Sequence, residues 1–413
     1  MGRMGVAEAV RRLLGINGLT VCGVHFEPDG LVVDVKPRWR KRRCGVCGRP
    51  SPGYDEHPIR LWRHLSWGEM RVWLRYVPRR ANCREHGVLV EMVPWAEQDA
   101  HFTKDFDEMT AWLAQRLDKS AVCRLMGINW RTVGTIVKRV VGARLDSQRL
   151  NDLSIIGVDE LAHRRHHKYI TVVVDQLESR VIWVGEGKGE KTLKLFFDEL
   201  GPERASKLTH VTMDLGAAYG KVVSERAPQA QKVFDRFHVQ KLAGEAVDTV
   251  RREEMRNVAG TEDAAALKHS RWALLKNPWH LTVPQGKKLR EVQRTNRRLY
   301  RAYLLKESLA KGMDYRQPKR ATKHFAEWMQ WASHSKLRPF VRLSGTVRRH
   351  LDGILAYVKT GLSNGVVEGI NNKIRLIIRR AFGFRRTDAL KAMIYLCCGG
   401  LELHPPLPAA SPQ

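Results

Sequence analysis

Between residues 153 and 185 the chain alternates short apolar runs with polar breaks. The run 155–158 stops at Asp159-Glu160, a β-branched run spans 169–174 after a basic link, and a third covers 180–185. Runs of this length, rich in Val and Ile and bounded by turn-forming residues, predict three strands of an antiparallel meander. The period then changes. Apolar positions fall at helical spacing over 190–200, and a fourth strand over 207–215 carries Asp214 and leads into a helix starting near Gly216. A fifth strand over 230–234 ends at Asp235, with His238 just beyond it. From 240 to 360 only helical periodicity remains, which predicts an insertion. A late helix follows: Val367, Ile370, Ile374, Ile377 and Ile378 make its apolar face, and Glu368, Asn372, Arg375 and Arg379 form a polar stripe on the other side.

The N-terminal third has a different texture. A basic amphipathic segment covers 6–14, and the alternation over 19–35 predicts a hairpin turning at Pro28-Asp29-Gly30. Residues 59–77 alternate apolar and basic positions like strands of a small ribbon. Residues 105–142 read as a helix-turn-helix: helices over 106–117 and 119–125, a break at Gly127, and Asn129 capping a third helix over 130–141. In that helix Val133, Ile136, Val137 and Val140 face inward, leaving Arg131, Thr132, Lys138 and Arg139 available to a nucleic acid. The Pro-rich tail from His404 reads as unstructured.

Three antiparallel strands, a helix, a fourth strand, a helix, a fifth strand and a late acidic helix give the order of an RNase H-like fold. That fold gathers the acids of its first strand, fourth strand and late helix at one edge, here Asp159, Asp214 and Glu368. A carboxylate where a buried strand meets solvent is costly unless it is paired, hydrogen-bonded or holding a metal. Singly, Asp214 could cap the helix after its strand and Glu368 could simply face water. Jointly, three such groups repel one another, and divalent cations relieve that repulsion. Glu160 and Asp175 also lie beside acidic strand ends and compete for the first place.

Composition adds a partner and a compartment. Lys and Arg outnumber Asp and Glu by 72 to 43, a net charge of +29, which points to a polyanion, above all nucleic acid. Residues 286–349 hold 18 Lys and Arg against 4 Asp and Glu, so this stretch is expected to track a phosphate backbone. The interleaved Trp328, Trp331, Tyr300, Tyr303 and Phe325 are expected to form the insertion's core rather than base-stacking platforms. No apolar run is long enough to cross a membrane and no signal peptide is evident, so a cytoplasmic protein is expected. The 7 cysteines do not form a disulfide framework in a chain of 413 residues. Four potential ligands instead form two pairs, Cys44 with Cys47 and Cys83 with His86, each with two intervening residues, and they predict a closed structural zinc site.

The strings GVDELAHRRHHKYITVVVD, VTMDLGAAY, DRFHV and NGVVEGINNKIR with its trailing FGFRR resemble the DDE transposases of bacterial insertion sequences, specifically the ISL3 group, over nearly the whole chain. The resemblance implies Asp159, Asp214 and Glu368 as a catalytic triad for Mg2+ or Mn2+. It also implies an N-terminal zinc ribbon and a substrate of DNA, both terminal inverted repeats and target. His238 and Asn372 are then expected to support the acids or touch DNA, and Arg375 and Arg379 to track its backbone. The expected organisation is a zinc-ribbon domain over 1–100 and a helix-turn-helix over 101–150. The catalytic core follows over 151–239, a basic helical insertion over 240–360, the core's last helix over 361–400 and a disordered tail over 401–413. A homo-oligomer on DNA, associated with the bacterial nucleoid, is the expected working form. Two other readings stay open at this level: a DNA-binding repressor without catalysis, and an RNase H-like nuclease or resolvase.

Overall fold

The computed structural model describes residues 5–164, 168–215, 217–261 and 263–407. Gly216, where a helix start was expected, part of the basic link at 165–167 and the tail beyond 407 lie outside the described residues. The chain forms two compact units, Met1–Leu145 with Asp388–Gln413, and Asp146–Thr387.

The first unit opens with α1 (Val6–Leu14) and the hairpin β1 (Leu19–Glu27) and β2 (Gly30–Pro37), closed at Glu27 and Gly30. Gly30 has φ +131°, and a Cβ there would lie 2.2 Å from the Arg71 carbonyl, so only glycine fits this turn. Next come β3 (Gly53–Glu56), β4 (Arg60–Trp67), β5 (Met70–Tyr76), β6 (Arg79–Cys83) and β7 (Gly87–Val90). They sort into two sheets, β1-β2-β5-β4 and β3-β6-β7. The alternation over 59–77 therefore does make strands, but β4 and β5 join the hairpin's sheet, where Trp62, Val72 and Leu74 pack on Val33 and Trp95. The ribbon is built from β3, β6 and β7.

Three helices follow: α2 (Lys104–Arg116), α3 (Lys119–Met126) and α4 (Trp130–Arg144). Each starts where a side chain takes up a free backbone N–H, from Thr103, Asp118 and Asn129 respectively. Gly127 ends α3 in the left-handed region at φ +62°. Val133, Ile136, Val137 and Val140 are buried as expected.

The second unit carries β8 (Ile155–Arg164), β9 (Lys168–Asp175), β10 (Arg180–Glu186), α5 (Glu190–Leu200), α6 (Pro202–Ala205), β11 (His210–Met213), α7 (Ala217–Arg226) and β12 (Gln231–Phe234). The strand order is β10-β9-β8-β11-β12. The first three are antiparallel, and β11 is parallel to both β8 and β12, the RNase H-like arrangement. Phe196, Leu193 and Val222 from α5 and α7 cover one face of the sheet.

The insertion is all helical: α8 (Arg236–Asn257), α9 (Asp263–Leu267), α10 (Arg271–Leu275), α11 (Val283–Thr295), α12 (Arg297–Gly312), α13 (Pro318–Ser333), α14 (Arg338–Arg349) and α15 (Leu351–Thr360). Its core is one cluster that includes Phe325, Trp328 and Tyr303, with Tyr300 packed against it, while Trp331 stays 39% exposed. Helix α15 sits directly on β12, because a Cβ on Gly353 would come within 2.3 Å of the Phe234 ring.

The chain then returns to the sheet through α16 (Gly365–Arg380) and ends with α17 (Thr387–Cys398). The expected 361–400 segment is thereby divided: α16 stays with the second unit, whereas α17 packs Ala392 and Leu396 into the helix-turn-helix core of the first unit. Beyond α17 no helix or strand is formed through Leu407, although the His404 N–H donates to Glu108 Oε1 at 2.7 Å. Among the described residues, no helix is long and apolar enough to cross a membrane.

Candidate active site and nucleic-acid surfaces

Strand β11 pairs with β8 only as far as Gly157 and ends at Met213, while β8 runs on to Arg164. The edge of β8 beyond that pairing is open toward β11, and Asp159 sits there beside Asp214, the residue that follows β11. Asp159 Oδ1 accepts the Glu160 N–H at 2.7 Å, and Oδ2 accepts Nδ2 of Asn371 at 2.6 Å. Burial, and then the charge of Asp214, push the Asp159 carboxyl up to about 6.

Asp214 Oδ2 lies 2.9 Å from His238 Nε2, whereas its Oδ1 is buried without a partner among the described residues. The other imidazole nitrogen of His238 is 3.5 Å from Oδ2 of Asp235, a charge contact rather than a well-formed hydrogen bond. The Asp214 hydrogen bond first, with Asp235 adding, raises His238 to about 10, so the ring is a cation between two aspartates. Asp235 caps α8 through the Phe237 N–H at 3.0 Å. Burial pushes its carboxyl up, but His238 and the Asn364 N–H outweigh that and hold it below the usual carboxylate range.

Helix α16 is pinned to this edge at two points. At its start the buried Asn364 accepts from Thr212 Oγ1 at 2.7 Å and donates its N–H to Asp235 Oδ1 at 3.3 Å. Two turns later Asn371 holds Asp159. Between them Val367 lies against β8 so closely that a Cβ on Gly157 would be 2.3 Å from Val367 Cγ2. Glu368 is exposed in the first turn of α16, one turn from each pin.

A cavity of about 800 Å3 borders the two aspartates, its other walls including His238, Lys241, Arg342 and Thr346 of the insertion. Among the described residues, the only ligand atoms that close to within 4.8 Å of one another as a set of three or more belong to the cysteine cluster. The three carboxylates are therefore more widely spread than a single-ion cage. An orphaned buried carboxylate oxygen beside a second, desolvated carboxylate fits a cation-binding edge.

Asp175 serves the fold instead. It is buried at the end of β9, where its Oδ1 accepts the Leu177 N–H at 3.0 Å and so closes the β9–β10 turn. Glu160 lines the same cavity as Asp159. Asn372 is exposed and accepts from Arg375 Nη1 at 2.9 Å, so the structure does not bring it to the acids. Its neighbour Asn371 takes that place, and the sequence carried a signal for it. Asn371 falls on the buried stripe with Val367, Ile370 and Ile374, and a polar residue on an apolar face requires a partner. Arg375 and Arg379 are exposed on the opposite side.

In the ribbon, Cys44, Cys47, Cys83 and His86 converge with all ligand atoms within 4.8 Å. Cys47 and Cys83 Sγ are 3.8 Å apart, and His86 Nδ1 is 3.6 Å from Cys83 Sγ and 3.9 Å from Cys44 Sγ. A tetrahedral zinc ion with bonds of about 2.0–2.3 Å requires ligand–ligand edges of roughly 3.6–3.8 Å, so the donor set fits. Gly48 at φ +67° and Gly87 at φ +70° make the tight turns behind the two pairs.

On the helix-turn-helix, Arg131 is exposed, and the Thr132 hydroxyl is turned back onto Asn129 Oδ1 at 3.0 Å. Lys138 reaches Asp388 at 3.5 Å in an exposed pair that contributes little. Arg139 is not available to DNA. Its guanidinium makes a two-pronged pair with the buried Asp107, at 2.7 and 3.0 Å, and ties α4 to α2. Position on the helix wheel could not reveal this, because Asp107 comes from another helix.

A five-stranded RNase H-like sheet with acids at one edge, joined to a ribbon with a zinc-type ligand set and a helix-turn-helix, defines an enzyme that works on nucleic acid phosphodiesters. Residues 156–394 match a family model described as "Transposase". Residues 91–141 match the helix-turn-helix domain of transposase family ISL3, and residues 40–86 match the zinc finger of the IS204/IS1001/IS1096/IS1165 transposases. The transposase for insertion sequence element IS1557 of Mycobacterium tuberculosis (strain CDC 1551 / Oshkosh) is 42% identical over 429 aligned residues, covering 94% of this chain and 95% of that protein. The transposase for element IS1001 of Bordetella parapertussis is 31% identical over 384 residues, covering 92% and 95%. The chain belongs to the ISL3 transposases: it is a DNA-cleaving insertion-sequence transposase with a structural zinc ribbon and a helix-turn-helix.

Proposed function

We propose that Asp159, Asp214 and Glu368 are the catalytic triad and that they hold two divalent cations, Mg2+ or Mn2+. The observation that carries this is the buried, unpartnered Oδ1 of Asp214 next to a carboxyl that burial and Asp214 together hold at about 6. Such an edge is costly without a cation and gains its purpose with one. What the bound ions supply is activation of the attacking oxygen and stabilisation of the leaving one in DNA cleavage and strand transfer.

The protein's own residues do the positioning. His238, protonated, engages one oxygen of Asp214 and leaves the other free, and Asn371 fixes the rotamer of Asp159. Asp235 contacts both His238 and the start of α16, the helix that carries Glu368 in its first turn. Lys241 and Arg342, on the cavity wall, are placed to meet the phosphates flanking the reacting one. Element ends are read by the first unit through Arg131, while the basic insertion carries terminal-repeat and target DNA on backbone contacts. Arg375 and Arg379 extend that track along α16. The enzyme works on DNA of the bacterial nucleoid as a homo-oligomer that pairs two element ends.

The test is a cleavage and joining assay with labelled element ends and Mg2+ or Mn2+. Asp159→Asn, Asp214→Asn and Glu368→Gln should each abolish nicks and joined products while DNA binding persists, because the shape is kept and the ligand charge is lost. Asp175→Asn should keep chemistry, and Glu160→Gln should be milder than the triad variants. Activity in Asp159→Asn, with inactivity only in Glu160→Gln or Asp175→Asn, would reassign the first acid.

A further inference from the structure

We infer that Arg63, reaching from strand β4 beneath the turn before α4, forms with the N-terminus of that helix a seat for one phosphate group of the DNA backbone. This rests on the reading of the helix-turn-helix as a DNA-binding unit and adds to it a contact made from the neighbouring sheet. Arg63 is only 7% exposed. Its Nε is buried without a hydrogen-bond partner, and among the described residues its guanidinium makes one long bond, from Nη2 to Ser66 Oγ at 3.4 Å. The guanidinium carbon lies 5.6 Å from the ring centroids of both Trp73 and Phe106. Aromatic faces attract and orient a guanidinium, but they leave its in-plane N–H donors unused.

An arginine withdrawn from water without an anion is an expensive arrangement. Elsewhere in the same unit the cost is met: Arg139 has Asp107 as its anion. Arg63 opens instead onto a recess of about 600 Å3 bordered by Trp73, Phe102, Gly127, Asn129 and Thr132. A Cβ on Gly127 would lie 3.7 Å from Arg63 Nη2, so the guanidinium passes directly under the turn. Across the recess α4 begins, a helix of 15 residues whose Asn129 side chain takes the Thr132 N–H. The N–H groups of Trp130 and Arg131 have no intrahelical acceptor. The first residues of α4, at the positive end of its dipole, and a buried guanidinium without an anion border one small space, an arrangement suited to a phosphate.

A phosphodiester is favoured over a protein carboxylate by what surrounds the recess. Arg131 and Arg124 are exposed beside it, and the chain carries +29 net charge. A backbone phosphate held here fixes the register of α4 on the duplex without reading sequence, leaving discrimination to Arg131 and its neighbours.

The test uses the full-length protein and two duplexes of equal length, one from the element's own terminus and one of scrambled sequence. Affinities are measured across a salt series for wild type, Arg63→Met and Arg63→Lys, alongside melting temperatures without DNA. Arg63→Met should weaken binding to both duplexes alike, by about 10- to 100-fold, and lower the salt slope by about one. Its melting temperature should be equal to or above that of wild type, because an unpaired buried charge has been removed. Arg63→Lys should bind with intermediate affinity and keep the slope. Unchanged affinity and slope in Arg63→Met would overturn the phosphate seat while leaving the DNA-binding reading intact. A lower melting temperature in Arg63→Met, with Arg63→Lys binding as wild type does, would make Arg63 a packing residue and also overturn it. Wild-type protein that binds neither duplex would sink the helix-turn-helix reading and this site together.

Discussion

Asp159 is held in an environment that disfavours its working charge. Its carboxyl stands at about 6, above the roughly 3.9 of an unfolded aspartate, so ionising it costs folding free energy. Because the folded value is the higher one, that cost is absent below about pH 4, grows as pH rises from about 4 to 6, and is constant above. His238 acts in the opposite sense: raised from about 6.5 to about 10, it contributes stability that is full below about pH 6.5 and is lost progressively as pH rises from there to about 10. Asp159→Asn should therefore raise the melting temperature at pH 8, in protein with no added divalent cation, by the equivalent of about 1–3 kcal/mol, and the gain should vanish near pH 4. Equal gains at the two pH values would show that the side chain's shape, not its charge, sets the cost. The same scale separates Asn371 from Asn372. The two are identical in composition and adjacent in sequence, yet only Asn371 lies on the stripe that meets β8, so only it reaches Asp159.

At the scale of elements, the ribbon depends most on something outside its own packing. Its sheet β3-β6-β7 contributes little to the buried core beyond Ala81 and Cys83, so the four ligands must hold the knuckles together. Purified protein should contain one zinc per chain. Chelation should raise amide exchange across β3, β6 and β7 while exchange in β8, β9 and β11 stays protected. Metal-free protein with an equally protected ribbon would remove zinc from its folding. The strands β4 and β5 carry a related lesson. Alternation predicted both, because a two-residue period specifies a strand with one buried face. It did not say which sheet they join, since backbone pairing is generic and the choice is made by which apolar faces fit, here Trp62 and Leu74 against Val33.

At the scale of the molecule, the excess of 72 Lys and Arg over 43 Asp and Glu is a statement about binding. If about six to ten phosphates are neutralised, affinity for duplex DNA should fall about 10³- to 10⁵-fold between 50 and 200 mM salt. Arg131→Ala should reduce the preference for element ends and leave most of that slope in place. A shallow slope would mean that few of these cations meet the backbone. The return of α17 to the helix-turn-helix belongs to this scale too. The sequence assigns 387–398 to the core's last helical segment, but Ala392 and Leu396 find their partners in residues more than two hundred positions earlier.

The sequence by itself determined the chain order of strands and helices in the core, the two ligand pairs of the ribbon, the three helices of the helix-turn-helix with the Asn129 cap, and the acids at the strand ends. Each of these follows from local period, capping chemistry or charge, which act over a few residues. Tertiary structure alone decided that β4 and β5 leave the ribbon, that Arg139 is spent on Asp107, that Asn371 rather than Asn372 supports Asp159, and that Arg63 lies buried without an anion. Those outcomes depend on which distant surfaces meet, and on which polar groups lose water when they do, neither of which is encoded within a local stretch of chain.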